Sequence, residues 1–134
     1  MVDLEQRVSV IIPTYQRQFR YLVRAIKSIE NQTYNNIEII IVDDNPPGSR
    51  YRGEIQKFMK QYEDNSNIVY IANPRNMGGS LARNRGINKG TGDFITFLDD
   101  DDEYLPGKIE KQLKFMLTNN CDMSFTDLKL VNDN

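Results

Sequence analysis

The chain has 134 residues, enough for one domain with its own core and too few for two. Hydrophobic residues make up 39% and charged ones 27%, a globular balance that excludes a disordered or fibrous chain. Seventeen Lys and Arg against nineteen Asp and Glu leave a net charge of −2, without the basic excess that drives nucleic-acid binding, so no nucleic-acid partner is expected. His is absent and Cys121 is the single cysteine, which removes His-based triads, disulfide frameworks and most zinc geometries. No apolar run approaches the roughly 20 residues that cross a bilayer, and Met1 to Glu5 carries no secretory pattern, so a cytoplasmic location is expected. The sequon Asn31-Gln32-Thr33 then carries little weight.

In chain order, Val8 to Pro13 is an apolar, β-branched run that reads as a buried strand. Phe19, Leu22, Val23, Ile26 and Ile29 then mark one face of a helix. Ile37 to Val42 is a near-continuous apolar run, the pattern of a strand covered on both faces. After the loop Asp43 to Ser49 comes a second helix with Ile55, Phe58, Met59 and Tyr62 on one stripe, and Ile68 to Ile71 makes a third strand. Asn73 to Gly79 is turn-rich, Ser80 is the expected N-cap of a short helix, and Gly90-Thr91-Gly92 ends it. Phe94 to Leu98 is a fourth strand that runs into Asp99-Asp100-Asp101-Asp102. Pro106 opens a helix carrying Ile109, Leu113, Met116 and Leu117, and a fifth strand is expected around Met123 to Leu130.

This alternation predicts an α/β fold with a mostly parallel sheet and right-handed crossovers. Ligands of such sheets bind beyond the carboxyl ends of the strands. Pro13-Thr14-Tyr15, Asp43-Asp44, Asn73 to Gly79 and Asp99 to Asp102 occupy those places.

The four consecutive carboxylates repel one another unless a cation or solvent screens them. Hard oxygen donors of this kind suit Mg²⁺ or Mn²⁺, held by one or two carboxylates together with substrate phosphates. The plainer account is a solvated acidic loop that favours the N-terminus of the next helix. Asp99, Asp101, Glu103 and Glu110 also fall at EF-hand spacings, but Tyr104 stands where the turn glycine belongs and a strand precedes the loop, so that reading is rejected. Asp43 and Asp44 suit either a base or ribose contact or a simple turn start. Gly78-Gly79-Ser80 offers backbone amides to an anion, with Arg83 and Arg85 one turn in, or else is a plain helix cap. No dinucleotide or Walker fingerprint is present.

The ordered set Val8 to Tyr15, Gln32-Thr33-Tyr34, Ile39 to Asp44, Asn76 to Gly86 and Phe97 to Asp102 resembles family 2 glycosyltransferases of the GT-A fold, over nearly the whole chain. The resemblance implies inverting transfer of a sugar from a nucleoside-diphosphate sugar, UDP favoured over GDP, to a saccharide or lipid acceptor, with Mg²⁺ or Mn²⁺ as cofactor. It implies that Pro13, Thr14 and Tyr15 line the nucleotide pocket, that Asp43 contacts the base and that Arg83 lies near the ribose or diphosphate. Asp101 would be the metal ligand of the D-x-D motif, with Asp99 or Asp100 reaching the ribose, and the run of Asp leaves that register open by one residue.

The family's general base and acceptor surface lie in the second half of its domain. Residues 1–134 are therefore expected to be a single domain, the truncated nucleotide-binding half. Asp127 and Asp133 follow the motif, but nothing places either at an acceptor hydroxyl. A longer protein would work at the inner face of a membrane, and apolar surface left open would promote self-association. Two alternatives stay open: a non-catalytic nucleotide-sugar-binding or assembly module, and a sugar nucleotidyltransferase. The latter needs a Gly-rich, Lys/Arg-bearing phosphate loop where Pro13 to Arg17 stand.

Overall fold

A computed structural model describes residues 3–132. The elements are β1 (Val8–Thr14), α1 (Phe19–Glu30), β2 (Ile37–Asp43), α2 (Arg50–Met59) with a 3₁₀ turn at Lys60–Tyr62, β3 (Ile68–Ala72), α3 (Gly79–Lys89), β4 (Phe94–Phe97) and α4 (Lys108–Asn119). The four strands form one parallel sheet in the order β3-β2-β1-β4.

Alternation along the two central strands builds a core on each face. Val8, Val10 and Ile12 of β1 and Ile37, Ile39 and Ile41 of β2 pack with Leu22, Ala25, Ile26 and Ile29 of α1, Ile55 and Met59 of α2, and Ile109 and Leu113 of α4. The opposite positions, Ile11, Ile40 and Val42, meet Ala82 of α3. Both faces of the central strands are thus dry, which is why those runs read as almost uninterrupted Ile and Val. Gly86 lets α3 lie directly on the sheet, since a Cβ there would stand 2.4 Å from Ile11 Cγ2.

The topology selects the place for a ligand. β1, β2 and β3 follow one another outwards, and the chain then returns to set β4 on the free side of β1. This reversal opens a crevice at the carboxyl ends of β1 and β4. Thr14 is in register with Asp43, Asp43 with Ala72 and Ile11 with Phe97, so the strand ends share one edge.

Several local expectations are corrected. No ladder forms at 123–130: the segment is irregular, and Met123, Phe125, Leu128 and Leu130 are exposed, with no strand among the described residues alongside to accept its hydrogen bonds. α3 is capped by Gly78 at φ +89, a backbone angle that favours glycine, and Ser80 falls inside its first turn. Helix α4 starts two residues past Pro106, which lies in the preceding turn. Gln32 holds that turn: its side-chain amide donates to Leu105 O at 2.8 Å, and its carbonyl accepts from Ile109 N at 3.1 Å.

Candidate functional site

The carboxyl edge carries a cleft of about 510 Å³ lined by Pro13, Thr14, Tyr15, Arg17, Asp44, Asn76, Gly78, Gly79, Ala82, Arg83 and Asp99 to Asp101. Four loops build it, those after β1, β2, β3 and β4, together with the first turns of α3. A second hollow of about 180 Å³, between the end of α1 and β3, gathers one acid, Glu30, and no basic side chain.

Asp100 is the buried member of the acidic run, 5% exposed. Its Oδ2 accepts from Thr14 Oγ1 at 2.8 Å and its Oδ1 lies 3.2 Å from Arg17 Nε. Arg17 Nη2 reaches Asp101 Oδ2 at 3.1 Å, and Arg83 Nη2 reaches Asp99 Oδ1 at 2.8 Å. Burial outweighs the Thr14 and Arg17 contacts and pushes the Asp100 carboxyl above its ordinary value. Asp102 is raised too, by burial and by the charges of Asp101 and Asp99. Burial lowers the Arg17 guanidinium, but the charges of Asp100 and Asp101 more than offset it and hold it above its usual range. The cluster is short of positive charge even with both arginines in place.

Asp44 works differently. Its carboxylate accepts from Asn73 Nδ2 at 2.7 Å, Met77 N at 2.9 Å and Gly78 N at 2.8 Å. The amides of Met77 and Gly78 are therefore taken by the chain's own carboxylate, not left open to an outside anion as the glycine pattern suggested. Of the two arginines of α3, Arg83 faces the cleft, whereas Arg85 donates through Nη1 to the buried Asn73 side chain.

Asp43 stands apart from the other expected site residues. Its side chain is fully buried beneath the cleft, with Arg52 Nε at 2.9 Å, Tyr70 Oη at 2.5 Å, Asn45 N at 3.0 Å and Asn45 Nδ2 at 2.8 Å. The expected base contact is not open to it here, because its acceptor oxygens already serve these donors. Burial and the neighbouring carboxylate in turn keep the Tyr70 hydroxyl protonated far above the usual tyrosine range.

Arg52 extends this buried network by donating through Nη2 to Asp43 O at 3.2 Å, Asn73 O at 2.6 Å and Asn45 O. Asn45 Oδ1 accepts from Gln16 N at 2.7 Å and so pins the loop that presents Tyr15 and Arg17. Sequence reasoning left Arg17, Arg52 and Tyr70 outside the site. The signal for Arg17 was its place four residues beyond Pro13, whereas Arg52 and Tyr70 lie inside a helix and a strand, not in the segments that follow the strand ends.

Comparison with known proteins agrees with this architecture. An uncharacterized glycosyltransferase of Methanocaldococcus jannaschii is 36% identical over 129 residues, covering 95% of this chain and 43% of its own length. A Campylobacter jejuni GalNAc(5)-diNAcBac-PP-undecaprenol beta-1,3-glucosyltransferase is 40% identical over 104 residues, covering 77% of this chain and 32% of its own length. The chain thus spans less than half of either relative. Staphylococcus aureus TarS (residues 1–349), solved with UDP-GlcNAc, superposes with a TM-score of 0.72 at 23% identity, over 85% of this chain and 32% of TarS. The mannosyltransferase PcManGT of Pyrobaculum calidifontis, solved with GDP-Man and Mn²⁺, gives 0.71 at 19% identity, over 84% of this chain and 33% of its own. These two likenesses establish the GT-A fold. The family profile described as "Glycosyl transferase family 2" matches residues 9–134, and the chain belongs to that family.

Proposed function

We propose that the cleft between β1 and β4 binds the nucleoside-diphosphate sugar donor of a glycosyl transfer, a UDP-sugar before a GDP-sugar, together with Mg²⁺ or Mn²⁺. The observation that carries this reading is the convergence of Thr14, Tyr15, Arg83 and Asp99 to Asp101 on one cleft at the reversal point of the sheet. Tyr15 and Pro13 offer the nucleotide a partly apolar wall, and the Arg83 fork has donors beyond the one given to Asp99 for phosphate oxygens. Thr14 fixes the Asp100 carboxylate. In this reading Asp99 or Asp100 serves the ribose and Asp101 the cation.

The donor chemistry fits such a cation. All the acids are oxygen donors, and among the described residues no group of three His, Cys, Asp or Glu is arranged to hold a metal alone. That is the arrangement expected where phosphate oxygens complete the shell. When bound, the cation offsets charge developing on the departing diphosphate.

Inversion needs a general base on the face opposite that leaving group, within about 2.6–3.2 Å of the acceptor hydroxyl. The carboxylates of this cleft lie on the donor side, so we place the base and the saccharide or lipid-linked acceptor outside this set of residues. Asp127 lies in the irregular segment after α4, and Asp133 lies outside the described residues. Among the described residues no helix is long and apolar enough to cross a membrane.

A thermal-shift and calorimetry panel of nucleoside diphosphates, with and without Mn²⁺, tests the reading. UDP is expected to stabilise the protein by about 2.7 kcal/mol at a hundred times its Kd, and only with the metal. Asp101→Ala should abolish the metal-dependent part and leave the fold intact, because that side chain is 41% exposed. Nucleotide binding indifferent to metal would overturn the assignment.

A further inference from the structure

The cleft lining sets four carboxylates, Asp44, Asp99, Asp100 and Asp101, against two guanidinium groups, Arg17 and Arg83. Asp44 is satisfied by amide donors, so the acidic run depends on the two arginines. Arg83 serves Asp99, whereas Arg17 bridges Asp100 at 3.2 Å and Asp101 at 3.1 Å. The Arg17 fork thus lies on Asp101, the carboxylate assigned to the cation, and on its buried neighbour Asp100.

Resting on the donor-binding reading above, we propose that Arg17 is a built-in counter-ion: it pairs Asp100 and Asp101 in the donor-free protein, competes with a divalent cation for Asp101, and transfers to the diphosphate when cation and nucleotide bind together.

The two ends of the contact differ in freedom. Asp100 is buried and held through its other oxygen by Thr14, so it cannot turn away to find water. The Arg17 side chain is 43% exposed, while its backbone is steadied by the Gln16 amide donating to Asn45 Oδ1 at 2.7 Å. Asp100 is fixed, and the guanidinium is the part that can leave it. Two cations on the same carboxylate oxygens repel each other, so a metal ion arriving alone must displace Arg17 with nothing offered to it in return. A nucleotide arriving alone brings its charge to an acidic wall. When both arrive, the diphosphate gives the displaced guanidinium a bidentate acceptor, and the exchange is satisfied on both sides. Metal and nucleotide are therefore coupled through Arg17, and the coupling is reciprocal.

The test measures Mn²⁺ binding without nucleotide, by titration calorimetry and by the electron paramagnetic resonance of free Mn²⁺, and then UDP binding with and without Mn²⁺. Arg17→Gln should bind Mn²⁺ alone about tenfold more tightly than the parent, while the enhancement of UDP binding by Mn²⁺ shrinks by a similar factor. Arg17→Lys keeps the charge without the fork and should fall between the two. It also decides the matter if Arg17→Gln proves unfolded by circular dichroism. Lys89→Gln removes the same charge at the far, exposed end of α3 and should leave Mn²⁺ binding unchanged. Mn²⁺ binding no tighter in the Arg17 variants, or equally tightened in Lys89→Gln, overturns the proposal. A parent that takes no UDP even with Mn²⁺ defeats the donor reading instead, and the Mn²⁺-only comparison still decides the role of Arg17.

Discussion

Asp43 and Asp44 are neighbours in sequence with opposite tasks, and strand geometry separates them. Asp43 is the last residue of β2, and its side chain drops beneath the cleft to Arg52 and Tyr70. Asp44 follows outside the strand and reaches the loop before α3. A carboxylate facing a buried guanidinium is costly to neutralise, because the partner is left charged and dry. Asp43→Asn should lower unfolding stability by about 3–5 kcal/mol in urea titrations without nucleotide, with metal-dependent UDP binding kept by the molecules that remain folded. A variant as stable as the parent but deficient in UDP binding would return Asp43 to direct ligand contact. The paired acids were legible as a strand end with chemistry attached. Their division of labour was not, because the donors that claim Asp43 come from Arg52 and Tyr70, which neither spacing nor periodicity connects to it.

At the scale of elements, the central strands and the helix stripes were legible because burial on two faces imposes continuous Ile and Val, and burial on one imposes the helical period. Boundaries shifted where polar residues still pair: Thr14 and Asp43 belong to the ladder although they read as loop. The start of α3 was misread because the loop before it is held by Asp44, which accepts from the Gly78 amide 34 residues away, beyond any local pattern. Around Met123, apolar spacing suggested a strand, but spacing carries no information on whether a neighbouring edge exists. The closest approach of α3 to the sheet gives this scale its test. Gly86→Ala forces a Cβ against the fully buried Ile11, so α3 must lift, costing about 1–3 kcal/mol of stability and moving Gly78, Gly79 and Arg83 at its other end. Urea unfolding together with UDP titration should show both losses, and an unchanged UDP affinity would mean that the first turn of α3 does not depend on this packing.

For the whole molecule, the sheet edge opposite the cleft is closed by a second polar network around Glu38. That carboxylate accepts from Ser9 Oγ at 2.5 Å and from the Thr91 amide, with Arg7 Nη2 at 3.4 Å, and ties the α3–β4 turn to β1 and β2. Burial alone would raise its pKa, but the hydrogen bonds from Ser9 and Thr91 and the Arg7 charge outweigh it and hold Glu38 below its ordinary value. A depressed carboxylate stabilises the fold above its unfolded pKa, about 4.3, and that contribution disappears as the pH falls through the folded value. The stability difference between parent and Glu38→Gln should therefore be full at neutral pH and vanish in acid. Urea unfolding across a pH series measures it, and a difference independent of pH would remove the charge from the account. The strand order has one more consequence, in the order of events during synthesis. Of these four strands β1 leaves the ribosome first, yet its outer neighbour β4 leaves last, and the Thr14 to Asp100 bond spans 86 residues. A nascent chain can pair β1, β2 and β3 while the cleft still lacks one wall, so affinity for a ligand there arises only when translation has passed the acidic run.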